Sequence, residues 1–268
     1  MLLVFERVCE MRMQFSKPSD RIVLPLDVSN LDKAIALVSA LAPFVGVFKV
    51  GFEAIYSTMA DLLTLDWENA LERLQKARML ARAISGKGFL DVKLNDIKNT
   101  VEKAAEAVAR THPRMFNLHA TAGQEAIRAA VEKKGDALVF VVTVLTSIKK
   151  DECVSIFGDE PSVKVLQFAD FSVDCGVDGI ICAPAEGSLL RKSSKFDGLT
   201  IATPNIRPTW DNRPDDQDVA RQLTPRIAIL AGIDMLVCGR PITKPLAEIG
   251  GSANAARRIS DEIAKALS

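Results

Sequence analysis

Short apolar runs rich in β-branched residues alternate with longer stretches of helical periodicity along almost the whole chain. Eight of these runs have the length and composition of buried strands, and they lie at residues 22–28, 45–50, 88–94, 115–120, 137–145, 179–183, 199–203 and 235–239. Helical spacing occupies the intervals, at residues 32–41, within 60–84, and at 99–111, 124–134, 163–175, 187–191, 225–231 and 254–267. This order is typical of repeated βαβ units, in which helices cover a parallel sheet.

Several predicted strands are apolar on both faces, as the run at residues 137–142 shows. Strands that are packed on both sides have this composition. No glycine-rich dinucleotide motif follows the first strand, which disfavours an open nucleotide-binding sheet. A (β/α)8 barrel needs about 250 residues, and this chain has 268. We therefore predict an α/β fold with a single (β/α)8 TIM barrel over residues 21–268 and an N-terminal extension over residues 1–20.

Composition excludes several classes of partner. The chain has 34 Lys and Arg against 34 Asp and Glu, so a formal net charge of zero gives no basis for binding nucleic acid or a membrane. Its five cysteines are widely spaced without a CxxC pair and it has two histidines, which disfavours a zinc site. The N-terminal segment is broken by charges and does not resemble a signal peptide. We expect a cytoplasmic enzyme with reduced thiols.

Charged residues stand at the ends of the first three predicted strands. Asp27 ends the first strand, Lys49 the second, and Asp91 and Lys93 lie near the end of the third, while Asp96 follows in the loop. Residues two apart share one face of a strand, so Asp91 and Lys93 project together. The carboxyl ends of the strands meet at one end of a barrel, and we expect these charges to converge at its mouth.

An alternating chain of Asp and Lys satisfies the requirement that buried charges be paired. Neighbouring carboxylates favour the charged form of a lysine, which makes it a fixed proton donor, and a carboxylate beside it repels an anionic group on a substrate. For Asp27 and Lys49 alone, a structural ion pair is an equally good interpretation. The whole set favours a catalytic site.

The loop at residues 207–217 is polar, contains two prolines and follows the seventh predicted strand. It is either an ordinary surface connection or a lid over a ligand. Phosphate groups often bind near strands seven and eight of such barrels, which favours the lid.

The segment Asp91-Val-Lys93-Leu-Asn-Asp96-Ile-Lys-Asn99-Thr100 resembles the D-x-K-x-x-D-I-x-N-T signature of the orotidine 5′-monophosphate decarboxylase family. Further segments agree in order, and the resemblance spans residues 21–243, with matches at residues 24–27, 48–51, 144–147, 203–208, 216–217 and 237–243. Asn205 stands where the family usually has Gly, and residues 56–82 form a longer segment than in compact members. Asn tolerates unusual backbone angles, so the first departure is mild.

The resemblance implies cofactor-independent decarboxylation of orotidine 5′-monophosphate to uridine 5′-monophosphate in de novo pyrimidine biosynthesis, with no metal. Lys93 would protonate C6 of the pyrimidine, and Asp91 would lie against the substrate carboxylate. Lys49 and Asp96 would complete the charged chain, with Asp96 reaching the neighbouring subunit's site in a homodimer.

The resemblance also implies substrate contacts at loops after several strands. Asp27 would hold the ribose hydroxyls, and Thr146 or Ser147 would contact the pyrimidine. The phosphate would be bound by Gln217, Arg240 and the Gly239 N–H. The remaining expected substrate-binding residues are Asn99, Thr100, Pro204 and Arg207.

Two other functions remain open at this stage. A metal-dependent 3-keto-L-gulonate 6-phosphate decarboxylase or hexulose-phosphate synthase also uses D-x-K-x-x-D, but an acidic ligand would be expected on strand two, where Lys49 stands. A non-catalytic barrel that binds a phosphate ligand would gain little from an inward lysine among carboxylates.

Overall fold

A computed structural model describes residues 13–211, 213 and 222–268. In this part of the chain eight parallel strands form a closed barrel in sequence order, and the last strand pairs with the first. The strands are β1 (Ile22–Pro25), β2 (Val47–Val50), β3 (Gly88–Leu94), β4 (Met115–His119), β5 (Leu138–Val142), β6 (Gly179–Ile181), β7 (Thr200–Thr203) and β8 (Met235–Val237). The predicted (β/α)8 barrel is confirmed.

Helices connect the strands on the outside of the barrel. In the described residues they are α1 (Leu31–Leu41), α2 (Phe52–Thr64), α3 (Trp67–Ala83), α4 (Lys98–Ala109), α5 (Gln124–Glu132), α6 (Lys150–Phe157), α7 (Pro161–Val173), α8 (Pro184–Leu190), α9 (Pro225–Leu230), α10 (Arg240–Thr243) and α11 (Ser252–Leu267). None of them is both long enough and apolar enough to cross a bilayer.

Three helical features differ from the sequence prediction. The helix expected within residues 60–84 is a pair, because α2 ends at Thr64 and α3 begins anew after Asp66. The Asp66 carboxylate caps α3 by accepting the Asn69 N–H at 3.1 Å. The short helices α6 and α10 were not predicted.

Alternate residues of the strands point into the barrel and toward the helices. One apolar layer fills the barrel interior, made of Val23, Val47, Phe89, Met115, Phe140, Ala202 and Met235. Their neighbours, such as Val139 and Val141 of β5, pack with the surrounding helices. Gly179 of β6 has no side chain because a Cβ there would lie 2.3 Å from the Phe140 ring. The two packed faces explain why most strand residues are apolar.

The N-terminal end of the barrel is covered by the segment that precedes β1. Met13 donates its N–H to Thr200 Oγ1 at 3.0 Å, and both Met13 and Phe15 pack against the inner apolar layer. The guanidinium of Arg21 lies 4.4 Å from the centroid of the Phe15 ring. The described part of the predicted N-terminal extension therefore contacts the base of the barrel.

Two carboxylates are buried at this base and tie neighbouring strands together. Asp178, just before β6, accepts both the Lys134 ammonium at 2.6 Å and the Val139 N–H at 2.8 Å. Asp234, just before β8, accepts the Ile201 N–H at 2.8 Å and pairs with Arg191. Each carboxylate thus bonds to the backbone of an adjacent strand.

The cysteines of the described residues are buried thiols; they are Cys153, Cys175, Cys182 and Cys238. Burial raises the pKa of the Cys175 thiol and still more that of Cys238. Cys9 lies outside the described residues.

Candidate active site

The mouth of the barrel carries polar residues directly above the inner apolar layer. Lys49, Asp91 and Asn117 each stand two residues beyond an inward apolar residue of their own strand. Because side chains alternate along a strand, all three point inward. They line a central cavity of about 270 Å³ whose wall also includes Asp27, Lys93, Val142, Thr146, Ile181, Pro204 and Val237.

The charged residues form an alternating chain, as the sequence predicted. Lys49 Nζ lies 2.7 Å from Asp91 Oδ2 and 3.4 Å from Asp27 Oδ1. Lys93 Nζ lies 2.6 Å from Asp91 Oδ1. Asp91 is buried, whereas the side chain of Lys93 keeps 27% of its surface exposed toward the mouth. Lys93, at the end of this series of alternating charges, therefore faces the space that a ligand would occupy.

The electrostatic environment keeps the buried pair charged. Burial by itself would lower the pKa of Lys49, but attraction to Asp91 and Asp27 outweighs it and the pKa lies above its usual value. Burial would likewise raise the pKa of Asp91, but the two neighbouring lysines outweigh it and its pKa is lowered. Each group thus depends on its neighbours for its charge.

Asn117 belongs to this cluster, although it was not among the site residues predicted from the sequence. Its Nδ2 donates to Asp91 Oδ1 at 2.7 Å, and its Oδ1 accepts the Lys93 N–H at 2.8 Å. The signal in the sequence was an amide at an inward position of an otherwise apolar strand. That signal alone does not say which neighbours the amide contacts.

An aromatic ring covers Lys93 from the side of β2. Phe52 begins α2, and the centroid of its ring lies 5.2 Å from Lys93 Nζ. The ring of Tyr56 packs against Phe52 at an angle of 52°, with ring centroids 5.4 Å apart. The distance from the ammonium to the ring is within the range of a cation–π interaction.

A second cavity of about 210 Å³ adjoins the first at the rim, and both share Asp27, Thr146, Pro204 and Val237. Its wall includes Asn205, Arg207, Gly239 and Arg240, which brings together most of the residues expected to bind phosphate. Asn205 has a φ of 64°, a conformation that Gly or Asn adopts more readily than most residues.

A buried carboxylate orients this rim. Asp211 accepts Arg207 Nη1 at 3.0 Å and Arg213 Nη2 at 2.7 Å. The hydrogen bond from Arg213 is the main reason why the pKa of Asp211 is lowered. Arg207 is thereby fixed beside the second cavity.

Other predicted site residues lie outside the central cluster. Asp96 is exposed, and its Oδ1 accepts the Ile97 N–H at 2.7 Å. Asn99 and Thr100 are exposed in the first turn of α4, and Ser147 is exposed after β5. Gln217 lies outside the described residues, as do residues 212 and 214–216 of the predicted lid. Among the described residues, no three His, Cys, Asp or Glu side chains are grouped as metal ligands would be.

Fold and site together define a (β/α)8-barrel enzyme with a lysine–carboxylate chain at the carboxyl ends of its strands. Residues 20–248 match the sequence model of the Orotidine 5'-phosphate decarboxylase / HUMPS family. The chain belongs to this family.

Individual relatives agree with this membership. The chain is 34% identical over 237 residues to orotidine 5'-phosphate decarboxylase from Syntrophomonas wolfei, covering 84% of this chain and 91% of the relative. It is 35% identical over 263 residues to the protein of the same name from Heliobacterium modesticaldum, covering 92% and 97%. A crystal structure of orotidine 5'-phosphate decarboxylase from Lactobacillus acidophilus has a TM-score of 0.67 at 26% identity, covering 90% of this chain and 98% of that one.

Proposed function

We propose that this chain catalyses the decarboxylation of orotidine 5′-monophosphate to uridine 5′-monophosphate without a metal or cofactor. The observation that carries the proposal is the Lys93 ammonium, held by Asp91 at 2.6 Å and facing the central cavity. Among the described residues, Asp91 is the only carboxylate paired with Lys93. The family membership and the named relatives support the choice of substrate.

In the proposed reaction the bond between C6 of the pyrimidine and its carboxylate breaks, carbon dioxide leaves, and the electron pair remains on C6. A proton from Lys93 Nζ then forms the new C6–H bond, and the neutral amine takes a proton back from solvent. A fixed ammonium stabilises charge that develops at C6 more than it stabilises the ground state. Asp91, buried beside the substrate carboxylate, disfavours the bound ground state.

The rim cavity suits the phosphate in this proposal. Arg240, the Gly239 N–H and Gln217 would bind it, with Arg207 close by, while Asp27 would hold the ribose hydroxyls. Thr146 or Ser147 would contact the base, with Pro204, Asn99 and Thr100 completing the contacts. Binding at the phosphate, remote from the reacting bond, can supply energy that organises the charged chain.

The same proposal makes the enzyme a cytoplasmic homodimer in pyrimidine biosynthesis. Asp96, which is exposed in the loop after β3, would enter the partner subunit's site and extend its charged chain. Mixing two inactive variants, one changed at Asp96 and one at Lys93, would restore activity only if each site is shared.

The function is tested by following the loss of orotidylate absorbance with EDTA present. We expect turnover by the wild type, and a kcat lower by about 10²–10⁴-fold for Lys93→Ala, because the proton donor is gone. Lys103→Ala, a change at an exposed lysine of α4, is the control and keeps wild-type activity. Turnover that requires added magnesium would support the alternative function, a metal-dependent decarboxylase or synthase. A wild type no faster than Lys93→Ala would refute the proposed catalytic activity.

A further inference from the structure

Asn117 is fully buried on β4 and uses both ends of its amide within the charged cluster. Its Nδ2 donates to the same oxygen of Asp91, Oδ1, that accepts the Lys93 ammonium. The other oxygen, Oδ2, accepts Lys49. The Asp91 carboxylate is therefore held by three donors, and the amide is the only uncharged one of the three.

The other end of the amide acts on the backbone of β3. The register between β3 and β4 shifts between Leu90 and Leu94, so four residues of β3 span the length of two on β4. Lys93 lies inside this irregular segment with a φ of 43°, in the left-handed region that a residue with a side chain rarely adopts. Asn117 Oδ1 accepts the Lys93 N–H there, in place of a regular strand partner.

The two hydrogen bonds of the Asn117 amide both act on the ion pair between Lys93 and Asp91. The left-handed turn at Lys93 brings its ammonium back onto Asp91, two residues earlier in the chain, and the same amide fixes the carboxylate that receives it. A strained backbone conformation persists only where its surroundings hold it, and such strain often lies at functional sites. Without the amide, Lys93 can relax to an ordinary φ and the Asp91 carboxylate can rotate.

We propose that Asn117 is a positioning residue, which holds the Lys93 backbone in its left-handed conformation and the Asp91 carboxylate in its plane, so that the Lys93 ammonium stays aimed at the reacting carbon. It acts through Asp91 and Lys93. The inference rests on the proposed function, because the reacting carbon is that of orotidine 5′-monophosphate.

Two substitutions separate the two ends of the amide. Asn117→Ala removes both hydrogen bonds. Asn117→Asp keeps an acceptor for the Lys93 N–H but replaces the donor to Asp91 with an oxygen. Thr143→Val is the matched control, because Thr143 is also buried at the mouth, one strand away, and its hydroxyl bonds only to the Ile181 carbonyl among the described residues.

The kinetic readout is the split between kcat and KM. For Asn117→Ala we expect kcat to fall by about 100-fold, because displacement of a reacting group by about 1 Å has an effect of that size. We expect KM to change by less than about threefold, because substrate binding at the rim is intact. Thr143→Val should keep both constants. An unchanged kcat in Asn117→Ala, or a loss confined to KM, would overturn the proposal.

Asn117→Asp gives a signature in the pH profile. The new carboxyl faces Asp91, with Lys93, Lys49, Asp27 and His119 as the other titratable groups of the mouth, and repulsion between carboxylates raises its pKa. In its protonated form the new carboxyl donates to Asp91 again. The activity of this variant relative to wild type should therefore rise as the pH is lowered, and a constant ratio would contradict the donor role.

Hydrogen exchange at the Lys93 amide tests the positioning independently of turnover. In protein labelled with ¹⁵N-lysine, the Lys93 N–H should exchange at least tenfold faster in Asn117→Ala than in wild type, a lower limit equivalent to about 1.4 kcal/mol lost at this bond. Lys87 and the other lysine amides at the base of the barrel should be unaffected. An unchanged Lys93 exchange rate would refute the inference, whereas an inactive wild type would refute the proposed function alone.

Discussion

Buried carboxylates lie at both ends of the barrel, but they are held in different ways. At the base, Asp178 and Asp234 each accept a backbone N–H from a neighbouring strand in addition to a cationic side chain. At the mouth, the partners of the Asp91 carboxylate among the described residues are side chains, those of Lys49, Lys93 and Asn117. The carboxylates at both ends pair with cations, but those at the base are also bonded to the backbone, whereas Asp91 is held by side chains.

The difference separates stability from reactivity. A carboxylate bonded to the backbone cannot move unless two strands separate, so the base pairs stabilise the closed barrel. A carboxylate held by side chains can respond to a bound ligand, and its pKa depends on those neighbours. The comparison predicts that a substitution at the base lowers stability and leaves turnover intact. A substitution at the mouth should lower turnover and leave stability intact.

The largest effect is expected at the base. Asp234→Ala should lower the free energy of unfolding by about 3–5 kcal/mol, because it leaves the largely buried cationic side chain of Arg191 without its carboxylate. Urea unfolding measures this change, and kcat at a temperature where the variant is folded should equal that of wild type. Asp261→Ala, an exposed change on α11, should shift stability by less than about 0.5 kcal/mol. A variant that is stable but slow would contradict the division between the two ends.

An intermediate effect is expected at Lys49. Lys49→Met keeps the length of the side chain but removes the charge that helps to hold the pKa of Asp91 down. We expect kcat/KM to fall by about 100-fold. In wild type the low pKa keeps Asp91 charged as the pH falls; without Lys49 that pKa rises, so the acid limb of the kcat/KM profile moves to higher pH.

The control for Lys49→Met is a change of Lys134, a lysine at the base of the barrel. Lys134→Met removes the partner of Asp178, so it should lower the stability and leave the acid limb in its wild-type position. If both variants shift the acid limb equally, the acid limb does not report the pKa of Asp91, and the catalytic role assigned to the charged residues at the mouth is wrong.

The smallest effect is expected at Phe52, whose ring covers Lys93. A cation–π interaction at a partly exposed site contributes about 0.5–1 kcal/mol, so Phe52→Leu should lower kcat by about two- to fivefold. Tyr56→Leu is the control, since Tyr56 contacts Phe52 and not the ammonium among the described contacts. Equal losses in both variants would show that the ring acts through the packing of α2.

The strands could be predicted from sequence because apolar residues dominate each of them, and a barrel that packs both faces leaves that composition visible. The main exceptions are the polar residues at the mouth, Lys49, Asp91, Lys93 and Asn117. The helices were harder. The periodicity of α2 and α3 continues across their junction, and the break depends on one capping carboxylate, Asp66. Helix α6 is short, with Lys and acidic residues in its first turn, and lacks a distinct apolar stripe.

Within the site, the alternation of side chains was enough to predict that Asp27, Lys49, Asp91 and Lys93 converge. It was not enough to predict the left-handed backbone of Lys93 or its bond to Asn117. Both follow from the register between β3 and β4, and the register depends on how two strands fit together. The role of Asp96 stays a prediction, because it concerns a second subunit.

The pairing of β8 with β1 closes the barrel and joins residues from opposite ends of the chain, with Val23 beside Val237. Asp27 and Arg240 line one cavity because of this pairing. During synthesis, however, Asp27 leaves the ribosome long before Arg240 has been added. At about 5–20 residues per second, the nascent chain spends on the order of ten seconds or more with half of its rim made. The site is thus completed only near the end of synthesis, and a translation product that stops before Arg240 cannot bind as the complete enzyme does.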